Sequence, residues 1–171
     1  MSSESVQEHR ASAPRSIAIA VLTISDTRDL STDSSGSLIV SLAESAGHRV
    51  VDRAIVKDEP VTIRDQILAW RSTNKFDAVI ATGGTGISPR DQTFETISSL
   101  LTKPLPGYGE LFRMLSFQEI GAAAMLSRAV AGLIDSLAVF VTPGSKAAVE
   151  LAMNRLILPE LPHIVREANR R

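Results

Sequence analysis

The sequence predicts an α/β fold of three layers, α/β/α, built on a mainly parallel sheet with a late β-hairpin. Three observations predict it. Short apolar runs of strand length alternate with stretches of helical periodicity in the order βαβαβα, the pattern of right-handed crossovers. Each of these runs stops at a polar or glycine-rich loop that leads into helix-start chemistry. Late in the chain, two β-like runs are separated by only Asp135-Ser136, as in a hairpin with a tight turn.

The first element is Ile17-Ala-Ile-Ala-Val-Leu-Thr-Ile24, a nearly continuous apolar run that suits a strand buried on both faces. It stops at Ser25-Asp26-Thr27-Arg28. A helix follows from about Ser34 to Ala46, with Leu38, Ile39 and Leu42 on its apolar face and Gly47 as its C′ residue. The second strand is Val50 to Val56, ending in Lys57-Asp58-Glu59-Pro60. Thr62-Ile-Arg-Asp65 reads as a capping box and starts a helix whose Ile63, Ile67 and Trp70 share one face. The third strand is Phe76 to Ala81, and the next helix runs from about Thr93 to Leu101. Pro104 to Gly109 is expected as a loop and Glu110 to Phe117 as a helix. Ala129–Ile134 and Leu137–Thr142 form the hairpin. Pro143-Gly144-Ser145-Lys146 opens a helix from Ala147 to about Leu158, and Pro159 and Pro162 leave only a short last turn.

With 171 residues and 44% hydrophobic content, the chain is expected to form one domain, residues 16–168, behind a disordered polar tail of residues 1–15. A net charge of −1 and an aromatic content of 4% argue against nucleic acid as a partner. The absence of cysteine excludes disulfides, iron–sulfur clusters and thiol catalysis. His9, His48 and His163 are scattered and give no zinc-like spacing. No apolar run approaches the roughly 18 residues of a membrane span, and the amino terminus lacks the apolar core of a signal peptide. A cytoplasmic enzyme or binding protein is the expectation.

Candidate chemistry lies in the loops. In Thr82-Gly-Gly-Thr-Gly86, three glycines within four residues let backbone amides approach a ligand between a strand and a helix start, as in a phosphate cradle. The segment matches neither the P-loop nor the dinucleotide-binding fingerprint, so a plain turn is the competing reading. Four loops, Ser25–Arg28, Lys57–Pro60, Thr82–Asp91 and Thr142–Lys146, leave strand carboxyl ends and would converge on one rim of a parallel sheet. Asp58 and Asp91 admit two readings. As carboxylates without His or Cys partners they suit a hard cation such as Mg²⁺ beside bound phosphates. Alternatively, Ser88-Pro89-Arg90-Asp91 is a capping box with Asp91 as its cap, and Asp58 is a turn residue. Asp26 is a ligand contact or an Asx-turn residue, Lys146 a phosphate contact or a solvated lysine, and Arg128 an anion contact or a surface ion pair.

Six segments together resemble the MoaB/MogA family of molybdenum cofactor biosynthesis proteins, over about Ser16 to Glu160. They are Leu22-Thr-Ile-Ser-Asp26, Thr82-Gly-Gly-Thr-Gly86, Arg90-Asp91, Pro106-Gly-Tyr-Gly-Glu110, Leu126-Ser-Arg128 and Pro143-Gly-Ser-Lys146. Arg113-Met-Leu-Ser-Phe-Gln-Glu-Ile-Gly121 and Ser127-Arg-Ala-Val-Ala-Gly132 are most similar to the MoaB branch. The resemblance implies a molybdopterin-binding fold in which the terminal phosphate of the pterin attacks the α-phosphorus of Mg-ATP, giving adenylyl-molybdopterin and pyrophosphate. It places the family's two essential aspartates, catalytic and Mg²⁺-binding, on Asp58 and Asp91. It also implies that Ser25, Asp26, Thr82, Gly83, Gly84, Thr85, Gly86, Glu110, Ser127, Arg128, Pro143, Gly144, Ser145 and Lys146 line the pterin and phosphate pocket. A homotrimer or homohexamer is expected with it. A non-catalytic molybdopterin carrier of the same pathway is the alternative, and a generic nucleotide-binding domain ranks third.

Overall fold

The computed structural model describes residue 14 and residues 16–170; apart from Pro14, the expected tail lies outside the described residues. Six strands form one mixed sheet in the order β2-β1-β3-β6-β5-β4. They are β1 (Ala18–Ile24), β2 (Arg49–Val56), β3 (Ala78–Thr82), β4 (Lys103–Pro104), β5 (Val130–Ile134) and β6 (Leu137–Thr142). β2, β1, β3 and β6 run parallel, whereas β5 and β4 are antiparallel to their neighbours. The three-layer expectation and the late hairpin both hold. Asp135 turns the β5–β6 corner at φ 54°, a conformation that aspartate tolerates better than most residues.

Helices α1 (Ser34–Ser45), α2 (Pro60–Thr73), α3 (Thr93–Leu100) and α4 (Pro106–Ile120) follow in chain order. A 3₁₀ turn, Gly121–Leu126, leads from α4 to β5. Alternate residues of the central strands feed two cores. Ile19, Val21, Ile80 and Phe140 pack with α1, α4 and the carboxyl-terminal helices, and Leu22, Val79, Ala81 and Val139 pack with α2 and α3. This period-two division is what a strand covered on both faces requires. Trp70 is 4% exposed in the second core, and its indole donates to Asp52 Oδ2 at 2.8 Å. Among the described residues no helix is long and apolar enough to cross a membrane.

Four expectations are corrected. The capping box at Thr62 does not open α2. The helix starts at Pro60, and the Thr62 hydroxyl donates backward to the Lys57 and Glu59 carbonyls. Proline fits there because a first-turn N–H has no intrahelical acceptor. For the same reason Pro106 begins α4 inside the expected loop, and α4 runs on to Ile120. Pro104 sits in the short edge strand β4, where a missing donor is tolerated.

Nor do Pro159 and Pro162 end the carboxyl-terminal helix. α5 (Lys146–Ala152) passes through a π-helical turn, Met153–Ile157, into α6 (Leu158–Ala168). The extra residue of the π turn re-registers the ladder just before Pro159. Burial of Met153, Ile157, Leu161 and Val165 along one stripe holds the helix on the core and outweighs the proline penalty.

Candidate functional site

The four loops meet at the carboxyl end of the parallel strands. β1 and β3 are neighbours, yet the helices that follow them, α1 and α3, lie on opposite faces of the sheet. That reversal opens a crevice between the two strand ends. A cleft of about 450 Å³ lies there, lined by Thr23, Ser25, Arg28, Thr82, Gly83 and Ser145 among others. It falls within the usual size range of small-molecule sites.

Hydrogen bonds between the loops fix this rim. The Thr82 hydroxyl donates to the Pro143 carbonyl at 3.1 Å, and Gly83 N donates to the Thr142 carbonyl at 3.2 Å. Gly83 has φ 102°, and a Cβ there would collide with the Ile24 carbonyl oxygen. Only glycine lets β3's exit loop press so closely on β1. Ser25 makes the local turn that aspartate was a candidate for: its hydroxyl accepts from Thr27 N at 3.3 Å and Arg28 N at 3.1 Å.

Asp26 points across the site instead. Arg90 grips both of its oxygens at 2.9 Å, and Asp58 N donates to it at 3.3 Å. The Arg90 hydrogen bonds hold the Asp26 carboxyl below the usual aspartate range. One guanidinium thereby links three of the four loops.

Asp58 is 6% exposed, and it caps α3. Its Oδ1 accepts from Gln92 N at 3.1 Å and from the Thr93 hydroxyl at 3.4 Å. Burial raises its pKa above the usual aspartate value, and the Asp91 and Asp26 charges add to that, against the opposing bond from Gln92 N. Asp91 does not cap a helix, because α3 begins only at Thr93. It closes its own turn, accepting from Ser88 N at 3.1 Å and donating its N–H to the Ser88 carbonyl at 2.9 Å. The capping-box reading of Ser88–Asp91 is therefore corrected: the helix amino terminus is capped by a carboxylate from another loop.

Both carboxylates border the glycine loop. A Cβ on Gly84 would strike Asp58 Oδ2, and one on Gly86 would lie 2.6 Å from Asp91 Oδ2. Among the described residues, Asp58 Oδ2 and Asp91 Oδ1 have no hydrogen-bond partner. Both are hard oxygen donors of the kind Mg²⁺ prefers, and the Asp91 charge is near enough to act on Asp58. No group of three or more His, Cys, Asp or Glu among the described residues is arranged for a metal. Two carboxylates fit a cation that arrives with phosphates better than a resident all-protein site.

The remaining expected residues divide. Gly144 and Ser145 line the cleft with Ser25, Thr82 and Gly83. Ser127 and Pro143 share a smaller adjoining cavity of about 120 Å³ that also reaches Ser145. Thr85 is buried, and Arg128 holds the glycine loop: its Nε donates to the Thr85 carbonyl at 2.9 Å, it bonds the Gly86 carbonyl, and it pairs with Glu95 over the Phe94 ring. Glu110 lines a separate cavity of about 220 Å³ beside Arg113. Lys146 is exposed at the start of α5, outside the cleft lining. Arg28 and Arg90 are functional candidates that residue spacing missed. Their signal was present, since each is the sole arginine of its converging loop.

Residues 20–163 match the family model described as a probable molybdopterin binding domain. The chain belongs to the MoaB/MogA family of molybdenum cofactor biosynthesis proteins. Molybdenum cofactor biosynthesis protein B of Bacillus subtilis is 54% identical over 95% of this chain and 96% of its own length. A crystal structure of a molybdenum cofactor biosynthesis protein B superposes with a TM-score of 0.90 at 50% identity, covering 93% of this chain and 99% of that one. The tungsten cofactor synthesizing protein MoaB from Pyrococcus furiosus superposes at 0.80 with 36% identity, over 92% and 100%. Molybdenum cofactor biosynthesis is thus this chain's setting, on the MoaB side of the family.

Proposed function

We propose that this protein is a Mg²⁺-dependent molybdopterin adenylyltransferase. The observation that carries the reading is the pair of free carboxylate oxygens, on Asp58 and Asp91, that flank Gly84–Gly86. In the proposed reaction a terminal phosphate oxygen of molybdopterin forms a bond to the α-phosphorus of ATP. The bond from that phosphorus to the bridging oxygen breaks, and pyrophosphate leaves. Two anionic groups must approach, so the main task is to place them and offset their charge. A Mg²⁺ ion on Asp58 and Asp91 would supply charge neutralisation between the phosphates. The chain's own residues do the rest. Gly83–Gly86 bring backbone close to the ligand, Arg128 holds that loop in place, and Arg90 ties to it Asp26, which in turn accepts from Asp58 N. No covalent nucleophile is needed.

A second reading, a non-catalytic molybdopterin carrier, is favoured by one observation: Asp58 also serves as a structural cap for α3. Such a residue would be retained without chemistry. Incubating the protein with molybdopterin, ATP and Mg²⁺ and assaying adenylyl-molybdopterin separates the two. Product supports the transferase, and pterin binding without product supports the carrier.

Self-association into trimers or hexamers belongs to the same proposal. Its support is an apolar surface on α4 and the turn after it, where Met114, Phe117, Ile120 and Met125 are 52%, 61%, 55% and 79% exposed. Unpartnered patches of this kind mark interaction sites. Light scattering on the purified protein tests it, and a monomer at micromolar concentration would refute it.

A further inference from the structure

Among the described residues, Arg28 is the single charged side chain lining the cleft between the ends of β1 and β3. Its side chain is 38% exposed, and its guanidinium has one hydrogen bond among the described residues, from Nη1 to the Ser35 hydroxyl at 3.3 Å. Ser35 in turn donates to the Gly144 carbonyl at 2.8 Å, and Arg28 N is tied to Ser25. The arginine is thus held at both ends, with most of its donors left over.

Its charge is not spent internally. Asp33, the nearest carboxylate, lies 3.9 Å from Arg28 Nη1. Its oxygens already serve the Thr23 hydroxyl at 2.6 Å, Gly36 N at 2.9 Å and Arg53 at 2.8 Å. Among the described residues no carboxylate joins Arg28 in the lining: Asp26 is held by Arg90 and Asp29 by Ser31 and Thr32, outside the cleft. The other polar side chains of the lining are hydroxyls; those of Thr23 and Thr82 already donate to Asp33 and the Pro143 carbonyl, which leaves Ser25, Thr27 and Ser145 to donate to a ligand. An arginine beside three available hydroxyls suits a phosphoryl group, which accepts in the fork geometry that guanidinium presents.

We infer that Arg28 is the anion-binding residue of this cleft and takes a terminal phosphoryl group. This rests on the transferase reading only for the identity of the ligand, because either the pterin's phosphate or the triphosphate of ATP has this chemistry. Gly83 lines the cleft and leads directly to Gly84 beside Asp58. The cleft is thereby continuous with the glycine loop that borders the carboxylate pair. Lys146, the cation that chain order suggested, has no part in the lining.

The test is calorimetric titration of wild type, Arg28→Ala and Arg28→Lys with inorganic pyrophosphate, and then separately with Mg-ATP and with molybdopterin. Thermal melts show whether each variant is folded. Pyrophosphate binding weakened tenfold or more in Arg28→Ala and partly restored in Arg28→Lys is the expected result. Wild type failing to bind pyrophosphate, or Arg28→Ala binding it within twofold of wild type, would overturn the inference. The other two titrations name the source, since the ligand whose phosphoryl group rests on Arg28 loses the same factor. If pyrophosphate binding depends on Arg28 while wild type binds neither molybdopterin nor ATP, the anion site stands and the transferase reading falls.

Discussion

The Asp58 carboxylate accepts the backbone N–H of Gln92 at 3.1 Å, so the loop after β2 caps the helix that follows β3. A bond that spans 34 residues makes one buried acid both a structural cap and a candidate catalyst. The folded chain holds the Asp58 proton more tightly than an unfolded chain does. For an acid with a raised folded pKa, stability falls as pH climbs from the ordinary aspartate range through the raised value, and the deficit persists at neutral pH. Asp58→Asn retains an oxygen acceptor for Gln92 N and removes the buried charge. It is expected to abolish adenylylation while raising the melting temperature at pH 7.5, by about 2–4 °C for each kcal/mol recovered. Asp58→Ala, which removes the cap, is expected to be about 1 kcal/mol less stable than Asp58→Asn and so to melt about 2–4 °C below it. Melts of the three proteins at one pH decide it.

Arg90 and Asp26 form a bidentate pair whose side chains are 58% and 36% exposed. Pairs at such exposure contribute no more than about 1 kcal/mol to stability. Arg90→Ala is therefore expected to melt close to wild type. It should nevertheless slow product formation about tenfold, because positioning errors near reacting atoms are expensive. Equal turnover would show that the clamp has no part in the site.

Asp33 sits fully buried at the amino terminus of α1, held by Thr23 and Arg53. Burial pushes its carboxyl up, but the bonds from Thr23, Arg53 and Gly36 outweigh it, and the net pKa is lowered. The stability this group contributes is present above the ordinary aspartate value and is lost as pH falls through the lowered one. Arg53→Ala removes the hydrogen-bonded cation of that carboxylate, leaving only Arg28 at 3.9 Å, and should cost about 3 kcal/mol at neutral pH. Denaturant unfolding at pH 7 and pH 3 checks both halves: the difference between variant and wild type should shrink in acid.

Gly83→Ala tests the close approach of β3's loop to β1. The positive φ alone costs alanine about 1–2 kcal/mol, and the Ile24 carbonyl blocks its methyl group. A melting point within 1 °C of wild type would contradict the described backbone.

Much of this was legible in residue order. The buried strands announced themselves because burial on two faces demands unbroken apolar runs, as in Ile17–Ile24 and Leu137–Val141. Convergence of the polar loops followed from parallel topology alone. Local rules failed where a distant partner took over. Ser88–Asp91 has the composition of a cap, yet Asp58 reaches the helix first. Thr62 had the right neighbour in Asp65, but Pro60 had already started α2. Arg128 had two readings from the residues, anion contact or ion pair, and the structure pairs it with Glu95 while its other donors take the Thr85 and Gly86 carbonyls. Pro159 and Pro162 read as breaks because no sequence rule registers a π turn upstream.

The central claim is that the Asp58–Asp91 pair does chemistry beside the glycine loop, and Asp91 tests it most directly because it caps no helix. Asp91→Asn retains an oxygen for Ser88 N, so the fold is expected to be unchanged. The decisive measurement is the rate of adenylyl-molybdopterin formation by wild type and Asp91→Asn with Mg-ATP, with molybdopterin affinity measured alongside. The account predicts product from wild type, a loss of about a hundredfold or more in the variant, and equal pterin binding by both. Undiminished turnover in Asp91→Asn, or no product from wild type, would contradict it.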